Sequence, residues 1–129
     1  MIVVDASVWI DFFNGSSTPE VERLDALLGV IPVAVGDLTL VEVLQGFRLE
    51  RDVATARQLF QSLPVLAMLG PQNAYKAAEN YRTLRRKGIT VRKTIDGIIA
   101  TACMEAKLPL LFSDRDFLPY VEHLGLEAA

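Results

Sequence analysis

The sequence predicts an α/β fold, a short and mostly parallel sheet with helices on both faces. Three observations lead there. Short apolar runs recur along the chain and read as continuous rather than alternating, as strands buried on both faces do. Segments with helical periodicity separate them. No repeat, low-complexity tract or Pro/Gly/Ser-rich linker divides the 129 residues, so residues 1–129 are expected to form a single domain.

The elements follow in order. Ile2–Asp5 is an apolar, β-branched run and reads as the first strand. Ser7 can cap a short helix through Phe13, which Asn14-Gly15 ends. Thr18-Pro19 opens a second helix with proline at its first position, and Val21, Leu24, Leu27 and Leu28 form its apolar stripe. Ile31–Val35 is a second buried strand. Asp37 caps a helix expected to reach about Glu50, and another runs from about Val53 to Ser62. Val65–Met68 is a third strand. Pro71 opens a longer helix, which Gly88 closes. Thr94 caps a helix from Ile95 to about Lys107, Leu110–Phe112 is a fourth strand, and a last short strand is expected near Leu124–Glu127.

Composition excludes several classes. Hydrophobic residues make up 51% and charged residues 22%, which suits a globular domain and not a disordered tail. The one cysteine, Cys103, rules out an internal disulfide and a cysteine-based zinc cage, and fits a reducing compartment. The opening MIVVDASVWIDFF lacks a basic lead, and Asp5 interrupts its apolar run, so it makes a poor signal peptide. The longest uncharged stretch, Gln58 to Tyr75, carries Pro64, Gly70 and Pro71 and is no membrane span. A cytoplasmic location without membrane contact is expected.

The net charge of −3 argues against a polyanion partner, but the distribution does not. Arg82, Arg85, Arg86, Lys87, Arg92 and Lys93 fall in one twelve-residue window free of acids. That window can grip a nucleic-acid backbone, or it can be a solvated helix end complementing the macrodipole. Charge alone leaves both readings open.

Chemistry is sought at the carboxyl ends of the strands, where ligands of such sheets bind. Asp5 ends the first strand. Glu42 lies among Leu40, Val41 and Val43, Asp96 between Ile95 and Gly97-Ile98-Ile99, and Asp114 and Asp116 follow Leu110–Phe112. Carboxylates embedded in apolar runs are rare unless paired or metal-bound. No Lys or Arg lies within three residues of Asp5 or Glu42, and Asp96 has only Lys93. Taken singly, each acid also fits a helix cap or a strand-end turn. Their agreement on one edge of the sheet decides for a site.

Two unit charges about 4 Å apart repel by roughly 4 kcal/mol at an effective dielectric near 20. Several converging carboxylates therefore call for a cation. Oxygen ligands without His or Cys select hard ions, Mg²⁺ first and Mn²⁺ as a substitute. That equipment suits phosphodiester hydrolysis, with an activated water as nucleophile and a cation on the developing negative charge.

These residues also carry a resemblance. MIVVDASVWIDFF, LVEVLQG around Glu42, and TIDGIIATACMEAKLPLLFSDRDF resemble, in order and spacing, the blocks of PIN-domain nucleases, especially VapC-type toxins of bacterial toxin–antitoxin pairs. The resemblance implies a PIN-type three-layer α/β/α sandwich and an endoribonuclease acting on structured RNA. It places metal-binding acids at Asp5, Glu42, Asp96 and Asp114, with Asp116 in the same loop. It implies that Ser7 and Ser113 are hydroxyl residues orienting acids or water. It further implies a homodimer and a small VapB-like antitoxin covering the groove.

Other readings compete. A catalytically silent PIN-like binding module, acting only in an antitoxin or co-repressor complex, would not need the full acid set. A phosphoacceptor receiver domain would need an acid after the middle strand, where Leu69-Gly70-Pro71 stands instead. Cys103, the lone His123, and Trp9, Phe12 and Phe13 are read as structural residues.

Overall fold

The computed structural model describes all 129 residues. Four short strands form one sheet: β1 (Ile2–Val4), β2 (Val33–Gly36), β3 (Val65–Leu66) and β4 (Leu110–Leu111). Their order is β3-β2-β1-β4, and every pairing is parallel. Seven helices surround it: α1 (Ala6–Phe13), α2 (Pro19–Leu27), α3 (Asp37–Leu44), α4 (Glu50–Gln61), α5 (Pro71–Arg86), α6 (Thr94–Ala106) and α7 (Leu118–Leu124). A 3-10 turn at Arg115–Phe117 precedes α7. No helix is long and apolar enough to cross a membrane.

The pleat sorts the core into two layers. Ile2, Val4, Val33, Val35 and Leu111 face α1–α4, where Trp9 packs edge-on against Phe12 and Phe60. Val3, Ala34 and Leu110 face α5–α7, with Leu84, Ile99, Cys103, Phe117 and Tyr120. Trp9 and Cys103 are wholly buried, as expected of core residues, and burial pushes the Cys103 thiol up to about 12. Asn80 Nδ2 donates to Thr101 Oγ1 at 3.0 Å, a buried bond that ties α5 to α6.

The chain turns from β2 and β3 on one side of β1 to β4 on the other. In sheets of this kind such a reversal leaves a crevice at the carboxyl ends of the two strands, here β1 and β4, and that is the expected place for a ligand.

Several boundaries differ from the sequence reading. Asp5, not Ser7, caps α1: its extended backbone lets the carboxylate accept from Ser7 N. Gly36 holds the cap position of α3, while Asp37 turns its Oδ1 to Leu38 N and Met68 N, clamping the ends of β2 and β3 together. Gly36 also packs against the Met68 side chain where a Cβ would collide. Helix α3 stops at Leu44 because Gln45-Gly46 closes it, and α4 starts earlier than expected, at Glu50. Lys93, not Thr94, is the cap residue of α6 and makes no side-chain capping bond. The third strand is only Val65–Leu66, a half-exposed edge.

No strand occupies Leu124–Glu127. Pro119 in a first turn starts α7, and Gly125 ends it at φ 87°. Strand-like pairing is confined to the last residue of that stretch and the next, where Leu110 N donates to Glu127 O and a parallel bridge joins Leu110 to Ala128.

Candidate active site at the carboxyl edge

The crevice gathers acids from four separate stretches of chain. Asp5 leaves β1 and caps α1, Glu42 rides α3, Asp96 sits in the first turn of α6, and Asp114 and Asp116 follow β4. Asp96, Asp114 and Asp116 each offer a carboxylate oxygen within 4.8 Å of the other two. Asp5 and Glu42 lie outside that trio, yet both are near enough for their charges to act on Asp96.

Asp5 is 4% exposed. Its Oδ2 accepts two bonds from Ser7, at 3.0 Å from the amide and 2.6 Å from the hydroxyl. Ser7 Oγ in turn accepts from Ser113 N at 3.3 Å. Ser7 thus couples the Asp5 carboxylate to the loop that carries Asp114. Ser113 enters this chain through its backbone amide. Burial raises the Asp5 pKa, the Ser7 bonds oppose it, and the net direction is upward.

Asp96 is 5% exposed, and its Oδ2 is buried with no hydrogen-bond partner. Burial, then the charges of Asp114 and Asp5, push its pKa up to about 7. Half-buried Glu42 shows the same signature. Its Oε1 has no partner, and burial followed by the charge of Asp5 raises its pKa. Two unpartnered buried carboxylate oxygens in one site are costly unless something positive completes them.

Asp114 is held differently. Its Oδ1 accepts from Asp116 N at 2.9 Å, capping the 3-10 turn, and its Oδ2 accepts from Lys93 Nζ at 3.0 Å. Partial burial pushes its carboxyl up, but those two bonds and the charges of Lys93 and Arg92 outweigh burial, so its pKa is lowered.

The basic window divides in the structure. All six residues are exposed. Lys93 reaches into the acid cluster. Arg82 and Arg85 line a cavity of about 500 Å³ between α5 and α6, where Arg85 lies 5.6 Å from the centre of the Tyr81 ring. Arg86 bonds Thr83 Oγ1 at 3.2 Å near the end of α5. The position of Arg92 and Lys93 just before the helix of Asp96 implies positive charge close to the site, and Lys93 supplies it. Its spacing of three residues before Asp96 was visible, but the long-range contact with Asp114 was not. Tyr120 was also missed. It lies wholly buried beneath Asp96's neighbour Gly97, whose added Cβ would meet the unpartnered Tyr120 hydroxyl at 2.8 Å.

The donor set fits a hard divalent cation: oxygens only, two of them unpartnered, in a crevice between parallel strands. Relatives share the chain from end to end. Ribonuclease VapC11 of Mycobacterium tuberculosis is 28% identical over 131 residues, covering 100% of this chain and 98% of its own. Among solved structures, the fold is similar to VapBC2 of Rickettsia felis bound to a DNA fragment from its promoter, with a TM-score of 0.77, 16% identity and coverage of 100% and 98%. It is also similar to VapC20 of Mycobacterium tuberculosis, a sarcin–ricin loop cleaving toxin, with a TM-score of 0.68, 17% identity and coverage of 92% and 93%. The sequence profile of the PIN domain matches residues 2–121, a span that holds every acid of the crevice. This chain belongs to the PIN domain family.

Proposed function

We propose that this chain, acting as one domain, is a Mg²⁺-dependent endoribonuclease toxin that hydrolyses phosphodiester bonds in structured RNA. One observation carries the reading. Asp96 Oδ2 and Glu42 Oε1 are buried without hydrogen-bond partners in a crevice shared with Asp5, Asp114 and Asp116. A folded chain keeps such oxygens when a ligand completes them. Its relative VapC11 is named a ribonuclease, and the structurally similar VapC20 cleaves the sarcin–ricin loop, which supports RNA as the substrate.

Asp96, Asp114 and Asp116 would hold the ion, with Asp5 and Glu42 adding negative charge around it. Bound there, Mg²⁺ or Mn²⁺ supplies Lewis acidity toward a phosphate oxygen and makes water more acidic at neutral pH. Ser7 fixes the Asp5 carboxylate, and Ser113 N fixes Ser7. Glu42, which lies outside the trio of Asp96, Asp114 and Asp116 and has a raised proton affinity, is the group suited to take a proton from an attacking water. Arg82, Arg85, Arg86, Lys87 and Arg92 provide exposed charge for the RNA backbone without reading sequence.

The partners follow from the same likeness. A homodimer neutralised by a small VapB-like antitoxin is the expected assembly, and the similarity to the VapBC2 complex supports the antitoxin partner. Incubating the purified chain with a structured RNA, in Mg²⁺, Mn²⁺ and EDTA, tests the reading. Cleavage with either ion, lost in EDTA and in Asp96→Asn, is expected. Cleavage that persists in EDTA would overturn the metal role. No cleavage under any condition, with antitoxin binding intact, would leave a silent binding module.

A further inference from the structure

We propose that Lys93 is a built-in counter-ion of the carboxylate site, an ammonium that the divalent cation displaces on binding. The inference rests on the metal-site reading above and adds a residue to it.

Lys93 Nζ stands 3.0 Å from Asp114 Oδ2, 3.8 Å from Asp116 Oδ2 and 4.0 Å from Asp96 Oδ2. These are the three acids whose oxygens cluster most tightly. The ammonium therefore sits against the same donor set that would hold the ion. Helix stabilisation does not account for this position. Lys93 is the cap residue of α6, where a cation opposes the macrodipole, and its side chain makes no capping bond.

The ammonium is an incomplete substitute. It hydrogen-bonds Asp114 alone, and Asp96 Oδ2 remains without a hydrogen-bond partner. As placed, the three donors of the ammonium reach a carboxylate of the Asp114 loop but not that of α6, and it brings one charge where a divalent cation brings two. Lys93 can also leave at small cost, because 57% of its side chain is exposed on a flexible stem. Arg92, its neighbour, acts on Asp114 by charge but forms no ion pair. Binding a divalent cation therefore breaks the Lys93 pair, and that exchange weakens the apparent metal affinity.

The test measures Mn²⁺ binding by calorimetry, and melting temperature, for the wild type, Lys93→Gln, Lys93→Met and Arg92→Gln. Both Lys93 variants should bind Mn²⁺ roughly two- to five-fold more tightly, the worth of one partly exposed ion pair. In EDTA both should melt lower than the wild type, and saturating Mn²⁺ should close the gap. Arg92→Gln removes the same charge without breaking a pair and should change Mn²⁺ affinity much less. Unchanged or weaker Mn²⁺ binding in both Lys93 variants would overturn the counter-ion role while leaving the metal site standing. Equal tightening by Arg92→Gln would reduce the effect to general charge and overturn it too. Absence of Mn²⁺ binding by the wild type would overturn the metal site and this inference together.

Discussion

Asp5 and Asp96 are carried by the ends of longer elements and are almost wholly buried, whereas Asp114 and Asp116 sit at a single 3-10 turn after β4 and keep 24% and 30% of their side chains exposed. The buried pair have raised pKa values, and Asp114 has a lowered one. The two halves of the crevice are thus charged by opposite means. On the buried side the fold holds carboxylates against their solvation, with Ser7 offsetting part of the cost at Asp5. On the loop side an amide and an ammonium already satisfy the acid. A cation arriving in the crevice relieves the first half and disturbs the second.

The largest effect that can break this comparison is on activity. Asp96→Asn should reduce RNA cleavage by at least about 100-fold, since it removes a carboxylate of the proposed cation site. The same change should raise the melting temperature in EDTA by a few degrees, because it deletes a buried, repelled charge. Asp114→Asn should lose activity similarly but melt lower, for it weakens the Lys93 pair. Two variants shifting stability in the same direction would break the contrast.

Next in size is the pH dependence. Asp96, at about 7, keeps its proton in the folded state where the unfolded chain has lost it. The native state then binds more protons between about pH 4 and 7, so stability falls as pH rises through that window and levels off above it. Asp114 has the opposite sign: the stability it contributes is present above its ordinary value of 3.8 and is lost only as pH falls further. Metal-free protein should therefore gain on the order of 2 kcal/mol between pH 8 and pH 5, allowing for water in an open cleft. Denaturant melts at each pH check this, and Asp96→Asn should remove most of the slope.

Ser7→Ala should have a smaller effect, about 10- to 100-fold in cleavage, because it frees Asp5 without removing any carboxylate. The smallest change is expected at the basic window. Arg86→Ala with Arg92→Ala should weaken RNA binding and flatten its salt dependence by roughly 0.7 log units per lost contact on a single strand. Cleavage positions should not move. An unchanged salt slope would return these residues to the role of a solvated helix end.

What was legible in the sequence follows the same division. The buried carboxylates stood out because an acid inside Ile2–Val4 and Ala6, or inside Ile95–Ile99, violates a local pattern. The parallel sheet was legible for the converse reason, since its strands are continuous apolar runs. The end of the chain was misread. Leu124–Glu127 looked like a strand, while Pro119 and the stripe Phe117, Tyr120 and Leu124 carried the signal for α7. That Arg92 and Lys93 lie near the site was legible from their place before the helix of Asp96, but the bond of Lys93 to Asp114 was beyond reach, because the two lie twenty-one residues apart across the crevice. A contact of that kind depends on tertiary packing and leaves no local pattern.

Central to all of this is a cation relieving a carboxylate cluster that holds a proton near neutrality. Calorimetric titration of the wild type with Mn²⁺ at pH 7, in two buffers of different ionisation heat, measures that most directly. Binding should release roughly half a proton or more, as expected when a group titrating near 7 becomes a ligand, and the release should fade by about pH 8.5. Asp96→Asn should abolish most of it. Binding with no proton release at pH 7, or no binding at any pH, would contradict the account.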